Sequence, residues 1–80
     1  MGSPYKEKIK KKLEAEGFFV INLIRTNHTG IMDLLAVKPG PNVKFVESKE
    51  VNDRLRPDQK IMLKRLTDLG FDATCDQKSK

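Results

Sequence analysis

A chain of 80 residues with 38% apolar content makes one small domain with a marginal core, because a chain this short buries only about 60% of the surface its unfolded form exposes. Its single cysteine, Cys75, excludes an internal disulfide and a cysteine-based zinc site, and the lack of a signal peptide or bilayer-length apolar run reads as soluble and cytoplasmic. The net charge of +5 and pI of about 9.5 suit a polyanionic partner, nucleic acid first, and suit equally a solvated surface that keeps a small protein soluble.

Pro4 to Glu16 is predicted to be a helix. Ser3 can cap it and Pro4 suits the first helical position. Tyr5, Ile9 and Leu13 recur every fourth residue as one narrow apolar stripe, and lysines fill the other faces. Gly17 stops the helix. Phe18 to Ile24, rich in aromatic and β-branched residues, reads as a strand, and Arg25 to Gly30 as a polar turn. Ile31 to Val37 is apolar on both faces except for Asp33, as in a central strand.

Lys38 to Asn42, centred on Gly40, is a turn. A third strand runs from Val43 to Lys49 or Glu50, followed by a polar loop from Asn52 to Arg56. Pro57 opens a second helix reaching Leu69, with Met62, Leu66 and Leu69 facing inward, and Gly70 ends it. Phe71 to Cys75 is a short last strand, and Gln77 to Lys80 read as a frayed tail. The order αβββαβ predicts a mixed α/β fold, a mixed sheet flanked by helices, as one domain over residues 1–80.

Asp33 is the informative residue. A carboxylate inside an apolar strand is costly unless something neutralises it. The next strand holds a matching oddity, Glu47-Ser48-Lys49. If the turn centres on Gly40, Val37 faces Val43, Leu35 faces Phe45 and Asp33 faces Glu47. Residues directly opposite share a face, with β-carbons about 4.5–5.5 Å apart, and Lys49 lies two residues along on that face. The same register pairs apolar residues with one another, which supports it independently. Two adjacent carboxylates repel, and a hard divalent cation, Mg2+ or Mn2+, relieves the repulsion. With Lys49 to hold or deprotonate water, or to stabilise phosphate charge, these parts suffice for phosphodiester hydrolysis. The plainer reading is an ion pair at a sheet edge.

These residues resemble the PD-(D/E)XK nuclease superfamily, and within it the VRR-NUC (virus-type replication-repair nuclease) group. Gly30-Ile31-Met32-Asp33 looks like the group's Gly-Val-Pro-Asp motif, with Met32 in place of proline, and Glu47-Ser48-Lys49 looks like its Glu-x-Lys motif. Arg54 to Gln59 resembles the segment leading to a helical glutamine, and Leu66 to Phe71 the exit into the last strand. The resemblance implies Asp33, Glu47 and the Ser48 backbone carbonyl as metal ligands, Lys49 as the catalytic lysine, Gln59 beside it, and Glu7 as the acidic residue of the first helix, ahead of Glu14 and Glu16.

Small members of this group are similar to homodimeric Holliday-junction resolvases, many of them from phages. Lys6, Lys10, Lys11, Arg54, Arg56 and Lys60 would then contact the phosphates of branched DNA. The alternatives are a flap or nicking nuclease of the same family, a DNA-binding module of this fold with little activity, or a small basic domain whose Asp33, Glu47 and Lys49 are structural. His28 reads as a polar loop residue and Cys75 as a packed thiol.

Overall fold

The alternation of apolar residues lays four strands side by side with a helix against each face. The computed structural model describes residues 4–79, so Ser3, the expected cap, lies outside the described residues. The elements are α1 (Pro4–Ala15), β1 (Phe19–Asn22), β2 (Leu34–Lys38), β3 (Asn42–Lys49), α2 (Pro57–Asp68) and β4 (Asp72–Gln77), in the expected αβββαβ order. The sheet order is β1-β2-β3-β4. The first three strands are antiparallel, and β4 returns through α2 to lie parallel to β3. No helix among the described residues is long and apolar enough to cross a membrane.

The core lies between α1 and one sheet face. Ile9 and Leu13 of α1 pack with Phe18, Val20, Leu34, Ala36 and Val46, and Tyr5 packs against their edge. The pairs Val20 with Ala36 and Leu34 with Val46 put these strand residues on one face. The opposite face carries Phe19, Ile21, Leu35, Val37, Val43 and Phe45, and further along Glu47, Lys49 and Cys75. Much of it stays open: Phe19 is 68% exposed, Ile21 37%, and Phe71, stacked edge-on against Phe45, 42%.

The hairpin register is the one expected, with Val37 opposite Val43 and Leu35 opposite Phe45. Lys38 pairs with Asn42, so the turn itself is only Pro39-Gly40-Pro41. The expected strand over 31–37 is corrected: pairing begins at Leu34. The Leu23 amide donates to the Asp33 carbonyl at 2.9 Å, and before that point the chain leaves the sheet. Met32, in the position of the motif's proline, is fully buried. The first strand is likewise shorter than expected, at Phe19–Asn22. The last is longer, at Asp72–Gln77, and takes in Gln77, which the sequence had placed in a frayed tail.

Candidate active site

Asp33, at the mouth of β2, is held by β3. Its Oδ1 accepts the Ser48 amide at 3.2 Å and its Oδ2 the Ser48 hydroxyl at 2.8 Å. The expected direct opposition of Asp33 to Glu47 is therefore modified: Asp33 lies outside the ladder, and Ser48 carries its carboxylate. The hydroxyl of Ser48 is a contact the sequence did not announce, because the alternation assigned its side chain to the other face.

Glu47 is only 5% exposed. Its Oε2 accepts from Lys49 Nζ at 3.2 Å and from Gln59 Nε2 at 3.1 Å. Gln59 is equally buried, and its Oε1 accepts the Arg56 amide at 2.9 Å, closing the first turn of α2. One amide thus ties the helix start to the carboxylate. Burial pushes the Glu47 carboxyl above its ordinary pKa, the negative charge of Asp33 pushes it further, and Lys49 pulls it back down. On β4, Cys75 pairs with Glu47. Burial and the Glu47 charge raise its thiol pKa, so it remains a protonated, half-buried packing group.

Gly30 brings the Asp33 segment to α2. Its φ is +77°, and a β-carbon there would sit 2.5 Å from the Asp58 carbonyl oxygen and 3.0 Å from the Gln59 nitrogen. Both the left-handed backbone and the contact demand glycine. Gly30→Ala should push the helix start away, carrying Gln59 off Glu47, and cost on the order of 2–3 kcal/mol through overpacking and backbone strain. Urea unfolding reads the loss directly; an unchanged midpoint would refute the contact.

The structure gathers Asp33, Glu47, Ser48, Lys49 and Gln59 in one place. Glu7 is exposed in the first half of α1. That helix covers the other face, although its first turn reaches the same end of the sheet, where the Tyr5 hydroxyl donates to Asp76 at 2.5 Å and Asp76 pairs with Ser48. Among the described residues no group of three or more His, Cys, Asp or Glu gathers as a metal cage. Of the expected DNA contacts, Lys10 pairs with Glu14 at 3.9 Å and Arg56 with Asp58 at 3.2 Å. Lys11 is exposed on α1 and Lys6 half-buried there. Arg54 and Lys60 line a cleft beside Lys49. His28 is an exposed loop residue whose carbonyl and amide both bond the Thr26 hydroxyl.

The donor set fits a hard divalent cation. It consists of two carboxylates, of which Glu47 is penalised for its charge by burial and by Asp33, and each keeps lone pairs beyond its protein contacts. Magnesium is commonly held by one or two carboxylates, with water completing its shell. Comparison with known proteins places the chain in a family. The family model for the VRR-NUC domain matches residues 4–77. A solved structure titled VRR_NUC domain superposes with a TM-score of 0.80 at 28% sequence identity, over 94% of this chain and 81% of the other. A search of curated proteins finds no match.

Proposed function

The chain belongs to the VRR-NUC domain family, nucleases of the PD-(D/E)XK type, and on that premise we propose that it is a divalent-metal-dependent deoxyribonuclease acting on branched DNA as a homodimeric Holliday-junction resolvase. The observation that carries the reading is the buried Glu47 carboxylate, gripped by Lys49 at 3.2 Å and Gln59 at 3.1 Å within the electrostatic reach of Asp33. Asp33, Glu47 and the Ser48 carbonyl would hold Mg2+ or Mn2+. When bound, the cation supplies Lewis acidity to a phosphoryl oxygen and to the attacking water.

The remaining chemistry belongs to side chains. Lys49 offers its ammonium to the charge that builds on the phosphate, or takes a proton from water as its amine. Gln59 fixes the Glu47 carboxylate so that the lysine and the metal ligands keep one geometry. Ser48 does the same for Asp33. Lys6, Lys10, Lys11, Arg54, Arg56 and Lys60 serve as phosphate contacts, which position DNA without reading its sequence.

A dimer is supported by the open apolar sheet face. Phe19, Ile21 and Phe71, with half-buried Leu35, Val37, Val43 and Phe45 between them, expose several hundred Å2 of apolar surface, roughly the apolar centre of a standard interface. The test is cleavage of labelled four-way, flap and linear DNA with Mg2+ or Mn2+. Paired symmetric cuts in the four-way junction are expected. Preference for flaps would move the reading to a flap nuclease, and binding without cutting by folded, metal-loaded protein to a DNA-binding module. In parallel, Phe19→Asp should halve the mass seen in sedimentation and turn paired cuts into single nicks. A variant that stays dimeric would exclude this face.

The raised Glu47 carboxyl fixes the direction of the pH dependence. Protons compete with the metal at this group, so metal uptake and cutting should fall on acidification at a pH above the usual carboxylate range. In metal-free protein the sign for stability is opposite. A raised carboxyl pKa favours the protonated folded form, so its contribution is present below the ordinary carboxylate pKa and is lost as pH rises through the raised value. A metal-uptake profile at sub-saturating cation whose acid limb sits at an ordinary carboxylate pKa would contradict the first statement, and metal-free protein whose stability shows no such loss as pH rises would contradict the second.

A further inference from the structure

Beside Lys49 lies a cleft of about 530 Å3 whose lining includes Lys49, Arg54, Lys60, Asn52, Cys75 and Gln77. Three of these are cations. Asp53 also borders it, and its Oδ2 accepts the Glu50 amide at 3.3 Å, which leaves the cations in excess. A cleft of this size takes more than a single phosphate and suits a nucleotide unit. Its position matters as much as its charge: Lys49 belongs both to the cleft and to the ion pair with Glu47.

The wall of this cleft is held by one side chain. Gln77, the last residue of β4, places Nε2 2.6 Å from the Asp53 carbonyl oxygen, 3.1 Å from that of Val51 and 3.2 Å from that of Glu50. All three partners are acceptors, so the chemistry fixes which way the amide is turned. Its two hydrogens are shared among three carbonyls. One residue further, the Lys78 amide donates to the Lys49 carbonyl at 2.8 Å. The end of β4 therefore ties down both the backbone of Lys49 and the loop leading to Arg54.

Building on the nuclease reading, we propose that this cleft seats the phosphodiester next to the scissile one on the strand being cut, with Arg54 and Lys60 as its contacts and Gln77 as the positioning residue that holds the loop in shape. The loop has no regular structure between Val51 and Arg56. Without the tether Arg54 would pay an ordering cost each time DNA binds. With it, the cation is placed in advance.

The test uses DNA carrying one uncharged methylphosphonate at each position flanking the cut in turn, with binding and cleavage both measured. For the wild type, one flanking position should lower affinity about tenfold. Arg54→Ala should lose about the same on unmodified DNA, reduce the salt slope of binding by about one, and lose nothing more on that methylphosphonate substrate. Gln77→Met keeps length but has no donors. It should raise KM severalfold with kcat nearly unchanged, and removing Arg54 in that background should cost less than in the wild type. Additive losses for Arg54→Ala and the methylphosphonate at every position would overturn the site. A Gln77→Met protein altered in melting temperature but not in KM would overturn the tether. Because binding is read separately, wild type that binds but never cuts would refute the nuclease reading, while binding to DNA with the methylphosphonate moved through every position of the bound strand, with and without Arg54→Ala, still decides whether the cleft seats a phosphate.

Discussion

Lys49→Ala should cut DNA at least about 10²-fold more slowly than the wild type while binding it within a few fold as well. The size follows from either of the two roles open to the lysine. Removing a preorganised group that stabilises transition-state charge costs about 10²–10³ in rate, and removing a positioned proton-transfer group costs about 10²–10⁴. As an ammonium 3.2 Å from Glu47, with its side chain 14% exposed, Lys49 would fill the first role in the proposed mechanism; as an amine it would fill the second. The substitution also strips Glu47 of the charge that draws its pKa down, so whatever activity remains should need a higher pH. Affinity survives because it is spread over many phosphate contacts. Lys49→Arg should not rescue cutting, since a guanidinium is planar and does not give up its proton. Lys49→Ala protein that cuts at the wild-type rate would remove this lysine from the mechanism.

The parts of this site that could be read from sequence are those that leave a periodic trace. The hairpin register followed from turn residues around Gly40 and from apolar residues falling opposite one another, and the pairing of Leu35 with Phe45 is as expected. Asp33 stood out because it broke that pattern. Its actual partner did not, since extrapolating the ladder to position 33 assumes pairing continues there. The close fit of Gly30 to the first turn of α2 takes the chain out of the sheet before that point. Arg56 at the start of α2 likewise concealed a cap: the usual signature pairs a small hydroxyl residue with a glutamine three positions on, and here only the glutamine half is recognisable. Gln77 was invisible for a different reason. Its carbonyl partners lie 24 to 27 residues away, and a contact between a side chain and distant backbone carbonyls imposes no pattern on the residues around it.

Asp33→Asn should give a protein that no longer melts higher when metal is added and no longer cuts. A ligand that binds only the folded state stabilises it by RT ln(1 + [L]/Kd), about 1.4 kcal/mol at ten times Kd. For a domain of this size each kcal/mol moves Tm by roughly 4–8 °C, so the wild type should gain about 6–11 °C with Mg2+ or Mn2+ at that level. Asparagine keeps the shape and can still meet the Ser48 amide and hydroxyl, exchanging one acceptor for a donor to the hydroxyl oxygen. What disappears is the negative charge that helps hold the Glu47 carboxyl high. The metal-free variant should therefore be at least as stable as metal-free wild type at neutral pH. The two results together separate a ligand from a structural carboxylate. If Asp33 served only to pin Ser48, the variant would lose stability without metal and keep the metal-induced rise. If it is a ligand paired against Glu47, the apo protein tolerates the change and the rise is lost. A wild-type metal response in Asp33→Asn would refute the proposed centre even if cutting were impaired.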